Sequence, residues 1–181
     1  LAKELTGKTP LVRKLRGGTR GKAFAGSLEV KLDPRIFENP QEAAKVLSHE
    51  LGHITDYLPE GTGRTGNLVG RLLSLQKFLK QTYSTSDGEI QNKVIRAEML
   101  ALSQEWRPFD IEKSSPSFVK YRQSPSELYA DAISVLFNDP ERLKLQAPEF
   151  YKTFFDFLDK KPTVKENFFA LQELLNSGEE A

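Results

Sequence analysis

One short stretch of the chain alternates between apolar and polar residues, and this pattern predicts a β-strand. Between Phe24 and Leu32 the later positions alternate, which places Leu28, Val30 and Leu32 on one face. Such alternation is typical of a strand with one buried face. The sequence leaves open whether this strand lies at the edge of a sheet, where an extended peptide could pair with it.

A second pattern, with apolar residues three and four positions apart, predicts an amphipathic helix that begins near Pro40. Asn39 is a favourable N-cap, Pro40 suits the first helical position, and Glu42 completes a capping-box pattern. The apolar positions of its buried side are Ala43, Val46, Leu47, Leu51, Ile54 and Leu58. Gly52 costs such a helix about 1 kcal/mol relative to alanine, so we expect another element to pack closely against it.

Helical spacing also dominates the rest of the chain. We predict an inserted helical hairpin over residues 62–106, with helices at about 67–83 and 87–106. In the second of these helices the residues expected to face inward are Ile90, Val94, Ala97, Ala101 and Leu102. Residues 107–123 are predicted to form a loop, followed by helices at about 124–138, 140–146, 148–160 and 162–177.

These elements predict an α+β fold that is mostly helical, with a small β-sheet next to the helix that begins at Pro40. Hydrophobic residues make up 38% of the chain and charged residues 28%, which is ordinary for a globular protein. We expect a basic arm or connector over residues 1–22 and a single domain over residues 23–181. No apolar run is long enough to span a bilayer, and we expect no membrane partner.

The segment before residue 22 is basic and contains glycines, and it allows two interpretations. Its cationic residues are Lys8, Arg13, Lys14, Arg16, Arg20 and Lys22. A nucleic-acid-contacting arm would have this charge, but no aromatic residue lies between the charges, so we favour a connector from a larger protein. The net charge of +1 argues neither for nor against a nucleic-acid partner. The chain starts at Leu1 without a visible signal peptide, which we interpret as a fragment of an intracellular protein or of one delivered into a host cell.

The chemistry of the chain is concentrated in the stretch His49-Glu50-Leu51-Gly52-His53, which carries the pattern H-E-x-x-H. The chain has two histidines, and both fall in this motif. On a helix, positions i and i+4 lie on one face, so His49 and His53 can bind a single metal ion. Glu50 lies beside the first ligand, where it can take a proton from the attacking water. Packing or solvent exposure of two histidines is the alternative interpretation.

A catalytic zinc site needs a third protein ligand, and the chain has no cysteine and no third histidine. A carboxylate must therefore complete the site, and Glu127 is the preferred candidate. Asp131 follows one helical turn later, where it can accept the proton of the second nitrogen of a ligand histidine. Ser124-x-x-Glu127 is also a capping box, which would give Glu127 a purely structural role. Glu98, Glu105 and Asp131 are the other candidate ligands.

The two motifs together resemble a known group of enzymes. The chain carries H-E-L-G-H at residues 49–53 and Glu127-Leu128-Tyr129-Ala130-Asp131 downstream, followed by D-P-E-R-L at residues 139–143. This arrangement resembles the gluzincin branch of zinc metallopeptidases, and in particular the catalytic domains of the anthrax lethal factor type and related toxin and phage-encoded metallopeptidase domains. The resemblance covers about residues 40–60 and 118–160, and it implies a zincin-like fold.

The resemblance also implies roles for individual residues. His49, His53 and Glu127 would bind Zn²⁺, and Glu50 would act as general base and then as general acid. A tyrosine just before the ligand glutamate would donate a hydrogen bond to the oxyanion, and Tyr121 is the matching residue. Its spacing to Glu127 is one residue shorter than in the toxin, so Arg122 and Tyr129 remain alternatives for this donor.

We therefore predict a zinc-dependent endopeptidase that hydrolyses peptide bonds through a metal-activated water, with Glu50 as the general base. Its partners would be protein or peptide substrates, which include a parent polyprotein. Two other functions fit the sequence. One is a catalytically inactive relative that serves as a binding module, and the other is a nucleic-acid-associated module of a phage or mobile-element protein.

Overall fold

The computed structural model describes residues 2–24, 26–54 and 86–159, together with the single residues 162, 165, 166 and 169. The helix predicted over residues 67–83 and most of the one predicted over residues 162–177 lie outside this part of the chain. Within it, the protein is mostly helical with one small sheet, so the predicted α+β class is confirmed at this level.

The sheet has three short strands. They are β1 (Leu11–Val12), β2 (Gly21–Phe24) and β3 (Glu29–Leu32). The central strand is β3, which pairs with β1 in parallel and with β2 in antiparallel orientation, so β2 lies at an edge of this sheet. The predicted strand is confirmed over Glu29–Leu32, where Val30 and Leu32 are buried, but it does not extend back to Phe24, because a turn over residues 26–28 divides the stretch. Leu28 has a φ of 54°, a left-handed conformation that a strand does not allow.

The N-terminal segment takes part in this sheet. Its short helix α1 (Ala2–Thr6) precedes β1, and residue 22 falls within β2. Asp33, at the end of β3, fastens the segment, since its Oδ2 accepts a hydrogen bond from Leu15 N at 2.8 Å and its backbone N–H donates to Arg20 O at 2.8 Å. The basic residues that are exposed here are Lys3, Lys8, Arg13, Lys14, Arg16, Arg20 and Lys22.

A 3-10 helix (Pro34–Glu38) leads into α2 (Pro40–Ile54), the helix that carries the H-E-x-x-H motif. The predicted N-cap is confirmed, because Asn39 Oδ1 accepts hydrogen bonds from Gln41 N at 3.0 Å and Glu42 N at 3.3 Å. The other described helices are α3 (Ser86–Trp106), α4 (Pro116–Arg122), α5 (Pro125–Asn138), α6 (Pro140–Gln146) and α7 (Pro148–Leu158).

Helix α2 joins two hydrophobic cores. On one side, its Leu51 and Ile54 pack with Val30, Leu32 and Ile36 from the sheet and the 3-10 helix. On the other side lies α5, whose opposite face belongs to a core shared by α3, α5, α6 and α7. Among the described residues, the α2–α5 contact therefore connects the sheet to the helical layer, and the motif histidines lie in the last two turns of α2.

Gly52 makes close contact between α2 and α5 possible, as the sequence predicted. A Cβ atom at this position would lie 2.9 Å from Ala130 Cα and 3.0 Å from Ala130 O. One turn earlier, the Ser48 and Ser134 hydroxyls lie 2.8 Å apart in the same interface, and Trp106 Nε1 donates to Ser134 Oγ at 3.0 Å. This packing fixes α5 along α2 at the level of the motif.

Two predictions about the middle of the chain are wrong. Residues 107–123 are not all loop, because α4 forms within them after the N-cap Ser115. In α3 the predicted inward residue Leu102 is buried, but Val94 is 43% exposed, and Ala97 and Ala101 are exposed as well. The other buried residues of α3 are Ile95, Met99, Ser103 and Trp106. The inward face of α3 is therefore turned by about one residue from the predicted one.

No helix in the described ranges has both the length and the apolar character needed to cross a membrane.

Candidate metal centre

Three of the sequence-predicted site residues lie together where α2 meets the first turn of α5. His49 Nε2 and His53 Nε2 are 3.2 Å apart, because the two residues are one turn apart on α2. Glu127 completes a triangle, with Oε2 3.3 Å from His49 Nε2 and Oε1 3.2 Å from His53 Nε2. His49 and Glu127 are buried, and His53 is partly exposed.

The dimensions of this triangle fit a tetrahedral metal site. Ligand atoms bound at 2.0–2.1 Å in a tetrahedron around zinc are about 3.3–3.4 Å from one another. The 3.2 Å between the two histidine nitrogens is close to that value, and each oxygen of Glu127 lies 3.2–3.3 Å from one of these nitrogens. Two imidazole nitrogens and one carboxylate are also a donor set that zinc accepts in catalytic sites. The described residues therefore contain a buried group that could bind a metal ion.

Glu127 has an oxygen atom that supports this interpretation. Its Oε2 is buried and has no hydrogen-bond donor in the described part of the chain, since His49 Nε2 is close but not aligned for a hydrogen bond. A buried acceptor without a partner is costly unless a ligand or ion satisfies it. Burial opposes the charge of Glu127, but the two histidines outweigh that effect and lower its pKa. The carboxylate is thus ionised and available as a ligand.

Only one of the two hydrogen bonds that define a capping box is present between Ser124 and Glu127. Ser124 is the N-cap of α5, and its Oγ accepts the Glu127 backbone N–H at 3.4 Å. The reciprocal bond of a capping box would run from the Ser124 N–H to the Glu127 carboxylate. That N–H instead donates to Tyr121 O at 3.0 Å. The cap therefore holds the backbone of Glu127 and leaves its carboxylate free to face the histidines.

Asp131 lies behind His49, on the side away from His53. Its Oδ1 is 2.8 Å from His49 Nδ1, so Nδ1–H donates to Asp131 and Nε2 is left with its lone pair toward the triangle. Arg122 and Ser103 donate to the other oxygen of Asp131. Burial alone would raise the pKa of Asp131, but His49 and the neighbouring arginines lower it. Burial alone would lower the pKa of His49, but its contacts with Asp131 and Glu127 outweigh this effect and raise the pKa.

Glu50 differs from the other two carboxylates of the site because it has no hydrogen-bond or ion-pair partner in the described part of the chain. It is 8% exposed, and within the described residues it forms neither a hydrogen bond nor an ion pair. Burial raises its pKa, although the adjacent histidines act in the opposite direction. Gly21 of the edge strand β2 lies directly against it, since a Cβ there would be 2.7 Å from Glu50 Oε1. The carboxylate is therefore held between the sheet edge and the triangle.

The three candidates for the oxyanion donor lie in different environments. Tyr121 is 52% exposed, yet burial of its hydroxyl and the negative charge of Glu127 raise its pKa, so the hydroxyl end points toward the site. Arg122 is buried and occupied by Asp131 and by Arg107 O at 2.8 Å. Tyr129 is buried in the helical core against Phe150. Of these three residues, Tyr121 is the one next to the ligand group.

The other two glutamates considered as third ligands lie elsewhere. Glu98 accepts hydrogen bonds from the backbone N–H groups of Glu149 and Phe150, so it caps the first turn of α7. Glu105 is half exposed and faces Arg142 and Gln146. Neither belongs to the group formed by the two histidines and Glu127.

Sequence reasoning missed Arg107, which follows the last residue of α3. Its Nη1 donates to Asp131 Oδ1 at 3.0 Å and lies 2.8 Å from each ring nitrogen of His49. Because an N–H donor and a metal ion cannot share the Nε2 lone pair, a bound metal would leave this arginine with Asp131 alone. Its sequence position, far from both motifs, gave no signal, since only the fold brings it to His49.

A groove of about 470 Å³ adjoins the ligand group. Its lining residues are Glu42, Lys45, Val46, Trp106, Arg107, Pro108, Phe109, Phe118, Tyr121 and Arg122. One face is the first half of α2, and the other is the segment from the end of α3 to α4. Arg107 and Tyr121 connect the groove to the histidines and Glu127.

Comparison with known protein families, with curated proteins and with solved structures finds no match for this chain. The family resemblance drawn from the two motifs therefore stays a prediction. The arguments about function that follow rest on the geometry of the described residues.

Proposed function

We propose that this chain is a zinc-dependent endopeptidase of zincin-like fold, with His49, His53 and Glu127 as the metal ligands. The observation that carries the proposal is the group of His49, His53 and Glu127, which could bind a metal ion, beside Glu50, a buried carboxylate with no partner among the described residues. Structural zinc sites use four protein ligands, whereas catalytic sites use three and leave one position open. In such sites zinc supplies Lewis-acid polarisation of a carbonyl group and lowers the pKa of a water.

Glu50 is the residue suited to move the proton. Its raised pKa brings the carboxyl closer to neutral pH, which favours both accepting a proton and returning it. No competing donor among the described residues holds the carboxylate. It would therefore take the proton of the attacking water and pass it to the leaving amine.

The remaining groups would orient the ligand histidine and the substrate and would stabilise the oxyanion. Asp131 fixes the His49 tautomer that leaves Nε2 free for a ligand bond. Tyr121, whose raised pKa keeps its hydroxyl protonated, can donate to the oxyanion of the tetrahedral intermediate. The edge of β2 runs past Glu50 and has no strand partner among the described residues, so an extended peptide could pair with it.

The proposal is tested by cleavage of peptide pools by the zinc-loaded chain, its Glu50→Gln variant and a Glu141→Gln control on the exposed face of α6. We expect cleavage by the wild type and the control, and a loss of at least about a hundredfold in Glu50→Gln at unchanged zinc content. Cleavage that persists in Glu50→Gln would contradict the mechanism. Zinc binding without any cleavage would support the binding-module alternative instead.

A further inference from the structure

The groove beside the ligand group has an excess of positive charge. Three of its lining residues are cationic, namely Lys45, Arg107 and Arg122, and one is anionic, Glu42. Lys45 Nζ lies 4.0 Å from the centre of the Trp106 ring and has no carboxylate within ion-pair distance in the described part of the chain. This lining favours an anionic group in the groove.

Arg122 cannot provide the recognition of such a group. It is 4% exposed, its guanidinium lies over the Phe109 ring, and it donates to Asp131 Oδ2 and Arg107 O. Asp131 is thus already neutralised by a buried arginine. The charge of Arg107, which contacts the other oxygen of the same carboxylate, is left in excess.

Arg107 is placed to bind an anion directly. Its side chain is 35% exposed, and its Nη1 is the atom that contacts Asp131 and His49. Its Nε and Nη2 have no acceptor among the described residues, so one edge of the guanidinium is open to the groove. Two parallel N–H groups on that edge match the two oxygens of a carboxylate.

We propose that Arg107 binds a carboxylate of the substrate peptide and gives the enzyme a preference for peptides with an acidic group beside the scissile bond. The position follows from the hydrogen bond of 3.0 Å from Arg107 Nη1 to Asp131 Oδ1, which a bound metal would leave in place. Because the same Asp131 oxygen lies 2.8 Å from His49 Nδ1, this bond holds the guanidinium beside a ligand histidine. The carboxylate is either an aspartate or glutamate side chain, which fits the endopeptidase proposed above, or the C-terminus of the peptide, which would make the enzyme a carboxypeptidase instead. This inference rests on the proposed function, since it assigns the substrate class of the same site.

The test is equilibrium binding of labelled peptides to the zinc-loaded Glu50→Gln protein, measured by fluorescence anisotropy. The probes are short, randomised, labelled peptide pools in two pairs. In the first pair the C-terminus is amidated, and the two pools differ in a fixed glutamate or glutamine. In the second pair neither pool has an acidic residue, and the two pools differ in a C-terminal carboxylate or amide. We expect the acidic member of at least one pair to bind about tenfold more tightly, as charge-assisted hydrogen bonds do. The pair that discriminates identifies the source of the carboxylate.

Variants in the same background assign this preference to Arg107. Arg107→Gln should reduce it to about twofold or less, and Arg107→Lys should retain only part of it, because lysine has the charge without the planar pair of donors. Arg96→Gln, which removes an exposed arginine on α3 that donates to Gln123 O, is the matched control and should retain the full preference. Zinc content and urea unfolding of each variant report whether the site and fold are intact.

Equal binding of the acidic and neutral pools to the parent protein would overturn the inference. So would a preference that survives in Arg107→Gln, because the recognising group would then be another residue. A loss of cleavage rate that is the same for every peptide in active Arg107→Gln enzyme would also contradict it, since that result indicates an oxyanion donor. Absence of cleavage by the wild type would remove the proposed function, whereas the binding comparison would still decide the carboxylate site.

Discussion

At the scale of single residues, Glu127 combines two roles that the sequence presented as alternatives. Its backbone N–H is held by the Ser124 hydroxyl at the start of α5, and its carboxylate faces His49 and His53. Because the two groups point in different directions, the cap orients the candidate ligand rather than competing with it. The same first turn places Asp131 one turn further on, behind His49.

Tyr121 provides a test at this scale. Replacing it with phenylalanine removes the hydroxyl and little else, because the ring is half exposed. Loss of one oxyanion donor lowers kcat by about 10²–10³ in other hydrolases, and we expect a decrease of that order with little change in KM. Steady-state kinetics on a cleaved peptide measure it, with zinc content as the control for the site. Unchanged kcat would remove Tyr121 from the mechanism.

Much of the candidate site could be predicted from sequence, because the spacing of the histidines on one helix fixes their relation. Glu127 and Asp131 followed from the need for a carboxylate and from helical spacing. Arg107 could not be predicted, since it reaches His49 only through the path of the chain after α3. The choice among Tyr121, Arg122 and Tyr129 likewise depends on burial, which local pattern does not give for a short helix such as α4.

At the scale of elements, the close contact of α2 with α5 sets the distance between the histidines and Glu127. Gly52 is the point of closest approach, and the neighbouring atoms that a Cβ would meet belong to the backbone of Ala130. Backbone atoms cannot move aside as a flexible side chain can. Substitution here should therefore affect both stability and the metal centre.

We predict that Gly52→Ala destabilises the protein by about 1–2 kcal/mol in urea unfolding. Overpacking typically costs 1–3 kcal/mol, and the better helix propensity of alanine offsets about 1 kcal/mol of it. Zinc affinity should also fall, because the helices move apart. Gly26→Ala is the matched control, since a Cβ there would meet no atom within 4 Å. Stability equal to the wild type in Gly52→Ala would contradict the close packing.

Asp33 fastens the N-terminal segment to the end of β3 and gives a prediction about pH. Its carboxylate accepts hydrogen bonds from Leu15 N and from the Arg35 guanidinium, which holds its pKa well below the usual range. A group whose pKa is lowered by folding stabilises the folded state above its unfolded value of about 4, and this contribution is lost as the pH falls through the folded value.

Asp33→Asn should therefore lower the free energy of unfolding at pH 7, and its difference from the wild type should shrink as the pH falls below about 4. Urea unfolding at several pH values measures this difference. Asp156→Asn, which removes an exposed ion pair with Lys152, is the control and should change stability by less than about 1 kcal/mol. A difference between Asp33→Asn and wild type that is constant with pH would contradict the account.

Helices were easier to predict than the sheet, and the reasons are physical. Caps and apolar spacing determine a helix locally, as at Asn39 and Ser124. The strand over residues 24–32 was misread because alternation does not reveal the turn in which Leu28 adopts a positive φ. In α3 the predicted stripe relied on small alanines at 97 and 101, whereas the larger Ile95, Met99 and Trp106 fill the core.

At the scale of the whole molecule, the candidate metal centre bridges two hydrophobic cores. The histidines are on α2, which packs on the sheet, and Glu127 is on α5, which packs in the helical layer. A metal bound to all three residues would link the two layers. Binding to the folded state alone would also stabilise the protein. The same three residues would therefore hold the metal for the proposed reaction and stabilise the contact between the two layers.

The central claim is tested most directly by elemental analysis of zinc in the purified chain, compared with Glu127→Gln and with Glu105→Gln as the control. The account predicts about one zinc per chain in the wild type and in Glu105→Gln, and little or none in Glu127→Gln. Full zinc in Glu127→Gln, or none in the wild type after reconstitution, would contradict the three-residue site and the enzyme proposed from it.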